Sequence, residues 1–411
     1  MEASPASKGL RVALVTSWPP RWCGIAIYSE NLARALRNAG AEVHVVCHTD
    51  GGRPGEERIH PVLDQGDPLW PYRLYEKVEE VNPDVVHIQH EFGLYARYLE
   101  PEIYDFSPSR AFELTWPLFR WKVEGRPVVV TYHSVFSRLT FEEACYYDHT
   151  FSLASANIVH EPYQRECLPY NLGRVPENVF VCPHGTWPSP ATAASRRRAR
   201  ERLGLPPGPV VGMMGWWEPN KGFERLIRMW PEIAARTGAH LVLAGEARPG
   251  SPTGPATREE YLREVENSPA REKIAVIRGT FTREEYEEVL HSFELMVLPY
   301  HYASQSGNLA HAYGAGLPVV VSAIEGLKSS VEASGGGLAV RSDRELKEAV
   351  LKLLEDGGLR RRLALASRRY ARKVIAWPRV ARHHLEIYRW ARRQAERKRK
   401  ERRYLDHRVH V

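Results

Sequence analysis

Cysteine is scarce in this chain: five residues in 411, at Cys23, Cys47, Cys145, Cys167 and Cys182. The number is odd, the spacing is scattered and no C-x-x-C pair occurs, which argues against a disulfide framework and against a cysteine-built zinc site. Reduced, mostly packed thiols are expected. No apolar run is long enough to span a bilayer. Residues 1–9 hold no apolar segment of signal-peptide length ahead of the first strand-like run, so a water-soluble, cytoplasmic protein is expected. An acidic surplus is also missing: Lys and Arg number 57 against 50 Asp and Glu, a formal net charge of +7 with neutral histidines. That balance favours an anionic partner, which leaves a phosphate-bearing substrate, a membrane surface and nucleic acid all open.

What is present is the composition of an ordinary globular chain, 43% hydrophobic and 26% charged, at a length that exceeds one hydrophobic core. Short β-branched runs at 11–16, 42–47, 84–89, 127–132, 157–160 and 179–182 alternate with helical stretches. A second series follows at 209–214, 240–245, 273–277, 294–298, 318–322 and 337–340. This alternation predicts two α/β domains, each a Rossmann-like, doubly wound parallel sheet. The proline-rich run Pro183-His184-Gly185-Thr186-Trp187-Pro188-Ser189-Pro190, then a basic helix-like segment at 195–203 and Pro206-Pro207-Gly208, marks a boundary. The expected division is 1–187, 188–375 and a C-terminal helix with a basic tail at 376–411. After the first strand, Tyr28, Leu32 and Leu36 recur every four residues and Gly40 is placed to end the helix in a left-handed conformation.

In open α/β sheets ligands bind beyond the carboxyl ends of strands, so the residues there are the candidates. After the first strand comes Pro19-Pro20-Arg21-Trp22-Cys23-Gly24-Ile25, where Gly24 lets the backbone approach a ligand at a helix N-terminus; a purely structural turn fits equally well. The third run ends in His87-Ile88-Gln89-His90-Glu91. Its histidines face opposite sides of an extended strand, which points away from a metal and towards polar contacts with a ligand. The fourth run delivers His133-Ser134, an imidazole able to donate to a hydroxyl or to meet developing charge, or simply to bond loop backbone. In the second half, Gly215-Trp216-Trp217-Glu218-Pro219-Asn220-Lys221-Gly222 sets an ammonium on flexible backbone ahead of a helix, which suits a diphosphate. Ser304-Gln305-Ser306-Gly307-Asn308-Leu309-Ala310-His311 opens a short helix whose first amides, from Ser306 to Leu309, would face an anion.

Two further stretches are read as mainly structural. The basic tail (Arg392, Arg393, Arg397, Lys398, Arg399, Lys400, Arg402, Arg403) is expected to be a solvated helix end, with docking on anionic lipid as the alternative. The aromatic run around Tyr98, Tyr104, Phe106, Phe112, Trp116 and Phe119 is expected to be packed for the most part.

Together these motifs, in this order from Arg11 to about Trp390, resemble the family 4 retaining glycosyltransferases of the GT-B fold. The resemblance rests on the Pro-Pro…Gly24-Ile25-Ala26-x-Tyr28 loop, Pro83-Asp84-Val85-Val86-His87, the strand ending at His133, Pro183-His184-Gly185, the Gly215…Lys221-Gly222 loop and Gly314-Ala315-Gly316-Leu317-Pro318. It implies two domains facing a cleft, with the final helix returning across it. It also implies a nucleoside-diphosphate-sugar held by the C-terminal domain, an acceptor (glycan, lipid or small metabolite) on the N-terminal one, and no catalytic metal or other cofactor. On this pattern His133 meets the donor sugar, with Glu91 as a second candidate catalytic side chain. Gly215, Lys221, Gly222, Gln305, Ser306, Gly307, Asn308, Leu309 and His311 hold the donor, while Gly24, Ile25 and His90 stand at the reaction-centre or acceptor loop. The chain departs from the pattern where two glutamates are usual, reading Ala303 and His311, and where a basic residue usually follows the loop glycine, reading Trp216. Arg225 or Arg248 is a possible replacement cation. The resemblance predicts a hexosyl-type transferase. The departures motivate a second reading, a catalytically inactive sugar-nucleotide-binding or partner protein. No nucleic-acid-binding module is present.

Overall fold

The protein is described here by a computed structural model that covers residues 9–95 and 108–409. It divides into two compact units, Met1–Pro183 with Trp377–Val411, and His184–Ala376.

The first unit is built on a seven-stranded sheet of order β3-β2-β1-β4-β5-β6-β7. Its strands are β1 (Arg11–Thr16), β2 (Glu42–His48), β3 (Ile59–Leu63), β4 (Val85–His90), β5 (Val128–Tyr132), β6 (Ala156–Val159) and β7 (Val179–Val181). The second carries six strands, β8 (Val210–Met214), β9 (His240–Gly245), β10 (Ile274–Arg278), β11 (Leu295–Leu298), β12 (Val319–Ser322) and β13 (Gly337–Val340), in the order β10-β9-β8-β11-β12-β13. All neighbours pair in parallel. Helices cover these sheets, so the central strands are largely apolar: every residue of β8, β9, β11 and β12 is buried, as all-parallel sheets require. In each unit the strand order reverses beside the first strand, between β1 and β4 and between β8 and β11. Chains leave for opposite faces there, opening a crevice at the strand ends.

β3 was not expected from the sequence. Pro61 interrupts the segment, and the strand survives because it lies at the sheet's edge, where a missing N–H costs no ladder bond. The helix Gly24–Asn38 buries Tyr28, Leu32 and Leu36, and Gly40 follows at φ 90°. The basic segment near the boundary is the helix Ala193–Arg202, capped by Thr192. Its Arg200 donates to the Ser292 carbonyl at 2.8 Å and to Glu294 at 3.2 Å, so these charges are anchored in the second unit. The C-terminal helix Trp377–Val409 packs within the first unit against the helix Gly24–Asn38 and against β4 and β5. Among the described residues no helix is long and apolar enough to cross a membrane.

The aromatic run is less packed than expected. Phe112 and Phe119 are exposed, Trp116 is half-buried against Tyr72 and Tyr75, and Trp121 is the buried member of that helix. Spacing explains it: Trp121 and Leu118 share the inner face of the helix Thr115–Glu124, whereas Phe119 falls outside it. Tyr98, Tyr104 and Phe106, and the side chains of Arg402 and Arg403, lie outside the described residues.

Candidate functional site

In the second unit, the ends of β8 and β11 are joined by side-chain and backbone hydrogen bonds. Asn308 Nδ2 donates to the Met214 carbonyl at 2.8 Å and to the Tyr300 hydroxyl at 3.1 Å, while its Oδ1 accepts from Tyr286 at 2.8 Å. The His301 N–H donates to the Asn220 carbonyl at 2.9 Å, and Asn220 Nδ2 to the Tyr302 carbonyl at 3.2 Å. Two glycines make this approach possible. Gly215 has φ 144°, and a Cβ on it would sit 2.5 Å from Asn308 Nδ2. Gly222 has φ 70°, and a Cβ there would sit 2.3 Å from the Pro299 oxygen. Both positions therefore exclude a side chain.

Lys221 ends a short 3-10 turn, with Nζ 4.2 Å from the centre of the Tyr300 ring. Among the described residues it takes part in no salt bridge. Arg225 differs: it donates to the Pro299 carbonyl and to Ser322, and pairs with Asp343. Arg225 is thus committed to the scaffold, which removes it as the replacement cation. Arg248 stands 3.5 Å from Glu218.

Ser306 caps the helix Gly307–Gly314, its Oγ accepting from the Leu309 N–H at 3.3 Å. The cap thus uses one of the four amides expected to face an anion. The side-chain amide of Asn308 holds the two loops together. Gln305 Oε1 is buried and has no hydrogen-bond partner among the described residues. His311, one turn on, lies edge-on to Tyr286 and to His184. Burial, reinforced by Arg283, lowers its pKa to about 4. It is therefore neutral at physiological pH, unlike the glutamate usual at that position.

In the first unit the helix Gly24–Asn38 begins with no side-chain cap, and space is open around exposed Gly24; Ile25 is half-buried against the core. One turn on, Tyr28 meets the His133 ring edge-on at 4.9 Å. His133 is only 4% exposed, with Nε2 2.9 Å from Gln89 Oε1 and Nδ1 3.3 Å from His160 Nε2. Glu91 accepts from the Ser134 hydroxyl and the Phe92 N–H.

His90 is not part of this group. It points to the other face of β4, with Nε2 2.8 Å from the Tyr146 hydroxyl amid Phe92, Tyr132 and Tyr146, and burial lowers its pKa to about 3. Strand alternation separates it from Gln89 and His87. Among the described residues no group of three or more His, Cys, Asp or Glu side chains is gathered as a metal would require.

Two family models match the chain: one described as Glycosyltransferase Family 4 over residues 22–103, and one described as Glycosyl transferases group 1 over residues 208–356. The chain belongs to glycosyltransferase family 4. Its likeness to D-inositol 3-phosphate glycosyltransferase of Xylanimonas cellulosilytica is 29% identity over 222 residues, 52% of this chain and 51% of that protein. For alpha-D-kanosaminyltransferase of Streptomyces kanamyceticus it is 29% over 176 residues, 42% of this chain and 43% of that protein. The matched region thus spans about half the length, or less, of these curated relatives. The fold is that of the GT-B glycosyltransferases. Anabaena Alr3699/HepE, crystallised with UDP, superposes with TM-score 0.71 at 16% identity, over 92% of this chain and 98% of that one. Sucrose-phosphate synthase of Thermosynechococcus elongatus gives 0.71 at 20% identity, with the same coverage.

Sequence reasoning missed Gln89 and His160 as partners of His133, and Tyr286 and Tyr300 as partners of Asn308. Gln89 carried a signal: it falls two residues from His87 on the same face of β4.

Proposed function

We propose that this glycosyltransferase moves a hexosyl group from a nucleoside-diphosphate-sugar, with retained anomeric configuration, to an acceptor held by the first unit. The observation that carries the proposal is the joining of the β8 and β11 loops. It holds an ammonium that has no carboxylate partner among the described residues, Lys221, on backbone tied to a capped helix N-terminus, and a diphosphate suits that pair of donors. In the reaction the bond from the anomeric carbon to the diphosphate oxygen breaks and its electron pair leaves with the nucleoside diphosphate. The acceptor oxygen bonds from the same face, and its proton passes to the departing phosphate. Lys221 and the amides of Ser306, Gly307 and Asn308 neutralise that leaving charge in place of a metal, and His133 and Glu91 meet the sugar. His311 offers the nucleoside an uncharged imidazole in place of a carboxylate. Gly24 and Ile25 lie at the acceptor side. The complexes of Anabaena HepE with UDP and with UDP-glucose make uridine donors the first to try.

The test is thermal denaturation of the protein against a panel of nucleoside-diphosphate sugars, followed by detection of released nucleoside diphosphate. A donor at 100 times its Kd raises stability by about 2.7 kcal/mol. Stabilisation by one donor with turnover supports the reading, and stabilisation without turnover favours the inactive sugar-nucleotide-binding protein. No response to any donor refutes both. We also propose that the basic end of the C-terminal helix contacts anionic lipid at a cytoplasmic membrane surface. Truncation after Trp390 should then abolish salt-sensitive vesicle binding, and unchanged binding would rule that out.

A further inference from the structure

Alternation along β4 puts His87 and Gln89 on one face of the sheet, the face covered by the C-terminal helix. Their polar atoms belong to a buried chain. The Tyr388 hydroxyl lies 2.7 Å from His87 Nδ1; His87 Nε2 lies 2.8 Å from Thr131 Oγ1 and 3.1 Å from the Gln89 amide. The other end of that amide lies 2.9 Å from His133 Nε2, His133 Nδ1 is 3.3 Å from His160 Nε2, and His160 Nδ1 is 3.0 Å from the Cys182 carbonyl. Tyr388, His87, Gln89, Thr131 and His160 are at most 1% exposed.

Counting protons along the chain gives it a direction. A carbonyl only accepts, so His160 Nδ1 must carry its proton. Burial lowers the His160 pKa to about 4, so the ring is neutral and its Nε2 is bare. His133 Nδ1 must then donate to it. With one proton on His133, its Nε2 accepts, and the group facing it has to be the NH₂ of Gln89. Amide oxygen and nitrogen exchange places by a half-turn of the terminal torsion, and the network selects between them. The Gln89 oxygen then accepts from His87 Nε2–H, and His87 Nδ1 accepts from the Tyr388 hydroxyl. Each group donates forward once, and none is left charged. The opposite amide orientation puts a proton on His133 Nε2 and requires a second on Nδ1, a buried cation in a chain whose members are all neutral groups.

We propose that Gln89 is a positioning residue that fixes which nitrogen of His133 carries the proton, through a one-way hydrogen-bond chain that begins at Tyr388 of the C-terminal helix. The proposal rests on His133 acting at the donor sugar. The chain sets the imidazole's tautomer and ring plane before any ligand arrives, and it makes turnover depend on a residue 255 positions further along the chain, as Tyr388 is from His133.

The test is nitrogen NMR of the full-length protein labelled with 15N-histidine, with the His133 signal assigned from its loss in His133→Asn. The expected wild-type signal is a neutral ring protonated on Nδ1. Gln89→Leu should give a tautomer mixture and lower kcat about ten-fold, the effect of losing one buried hydrogen bond, with the donor KM unchanged. Gln89→Glu, which only accepts, should move the proton to Nε2. Tyr388→Phe, which is nearly isosteric, should shift the mixture the same way as Gln89→Leu but less, and serves if Gln89→Leu does not fold. A wild-type ring protonated on Nε2, or a tautomer indifferent to Gln89→Leu and Tyr388→Phe, overturns the proposal. The spectra need no substrate. A correct tautomer in a protein that transfers no sugar would therefore fault the functional reading and leave the chain standing.

Discussion

Replacing Lys221 by Met removes one charge and keeps the length of the stem, which makes it the sharpest probe of the donor site. The structure predicts a large effect on binding and a small one on folding. Nζ is held over the Tyr300 ring at 4.2 Å, and losing that contact costs about 0.5–1 kcal/mol at a partly exposed site. Among the described residues no carboxylate pairs with it, so Met leaves no buried anion behind. Against a phosphate, a charge-assisted hydrogen bond contributes about 1.5–3 kcal/mol. A bare Coulomb term at 4 Å and an effective dielectric of 20 gives about 4 kcal/mol, an upper bound for a solvated loop. At 1.4 kcal/mol per decade, the nucleoside diphosphate should bind about 10- to 150-fold more weakly. Titration calorimetry of wild type, Lys221→Met and Lys221→Arg with the diphosphate and with the uncharged nucleoside separates the terms. Only the diphosphate should weaken, with Arg intermediate because its planar fork cannot reproduce an ammonium's geometry. An unchanged Kd for the diphosphate, or an equal loss for the nucleoside, would refute the assignment.

Three other outcomes are expected. Asn308→Asp keeps the shape but loses the NH₂ that bonds the Met214 carbonyl and the Tyr300 hydroxyl. It should cost about 1–3 kcal/mol for each buried partner left unpaired and weaken donor binding by loosening the loops rather than by a side-chain contact to the donor; urea denaturation with unchanged stability would show that the two loops do not depend on it. Gly222→Ala meets φ 70° and a Cβ position 2.3 Å from a backbone oxygen, so a loss beyond the roughly 1–2 kcal/mol of the left-handed conformation alone is expected in thermal unfolding. Burial lowers the pKa of His48 and His160 to about 4 and of His90 and His384 to about 3. Between pH 6.5 and about 4 the unfolded chain therefore binds protons that the folded one refuses. Stability should be complete above pH 6.5 and fall through that window by up to roughly 1.4 kcal/mol per pH unit for each such histidine; a urea midpoint that stays flat from pH 6.5 to 5 would contradict it.

The parts of this fold that were legible in sequence are those whose signal is local. β1 and β9 begin and end where their apolar runs do, because buried parallel strands need apolar side chains on both faces. β3 was hidden because its signal is carried by position: Ile59–Leu63 tolerates Pro61 only at an edge, and no five-residue window says where the edge is. Gly215 and Gly222 were legible as glycines beside a strand end, since few other reasons put two of them around a lysine.

What a side chain is committed to depends on what the fold brings beside it, and sequence spacing does not carry that. Arg225 and Lys221 lie four residues apart and carry the same charge. Arg225 is tied to the Pro299 carbonyl, Ser322 and Asp343, which come from two other strand ends and the start of a helix. Lys221 rests on the face of Tyr300 and, among the described residues, takes part in no salt bridge. A cation already satisfied by a carboxylate must break that pair before it can bind a phosphate, whereas one resting on an aromatic ring gives up far less. His87 and His90 make the same point in the first unit. Alternation says that they part, and only the pairing of β4 with β5 shows that the His87 face is the one joined, through Gln89, to His133. The side chains available for chemistry are therefore distinguished by the partners they lack, and those partners become visible only when distant segments are folded together.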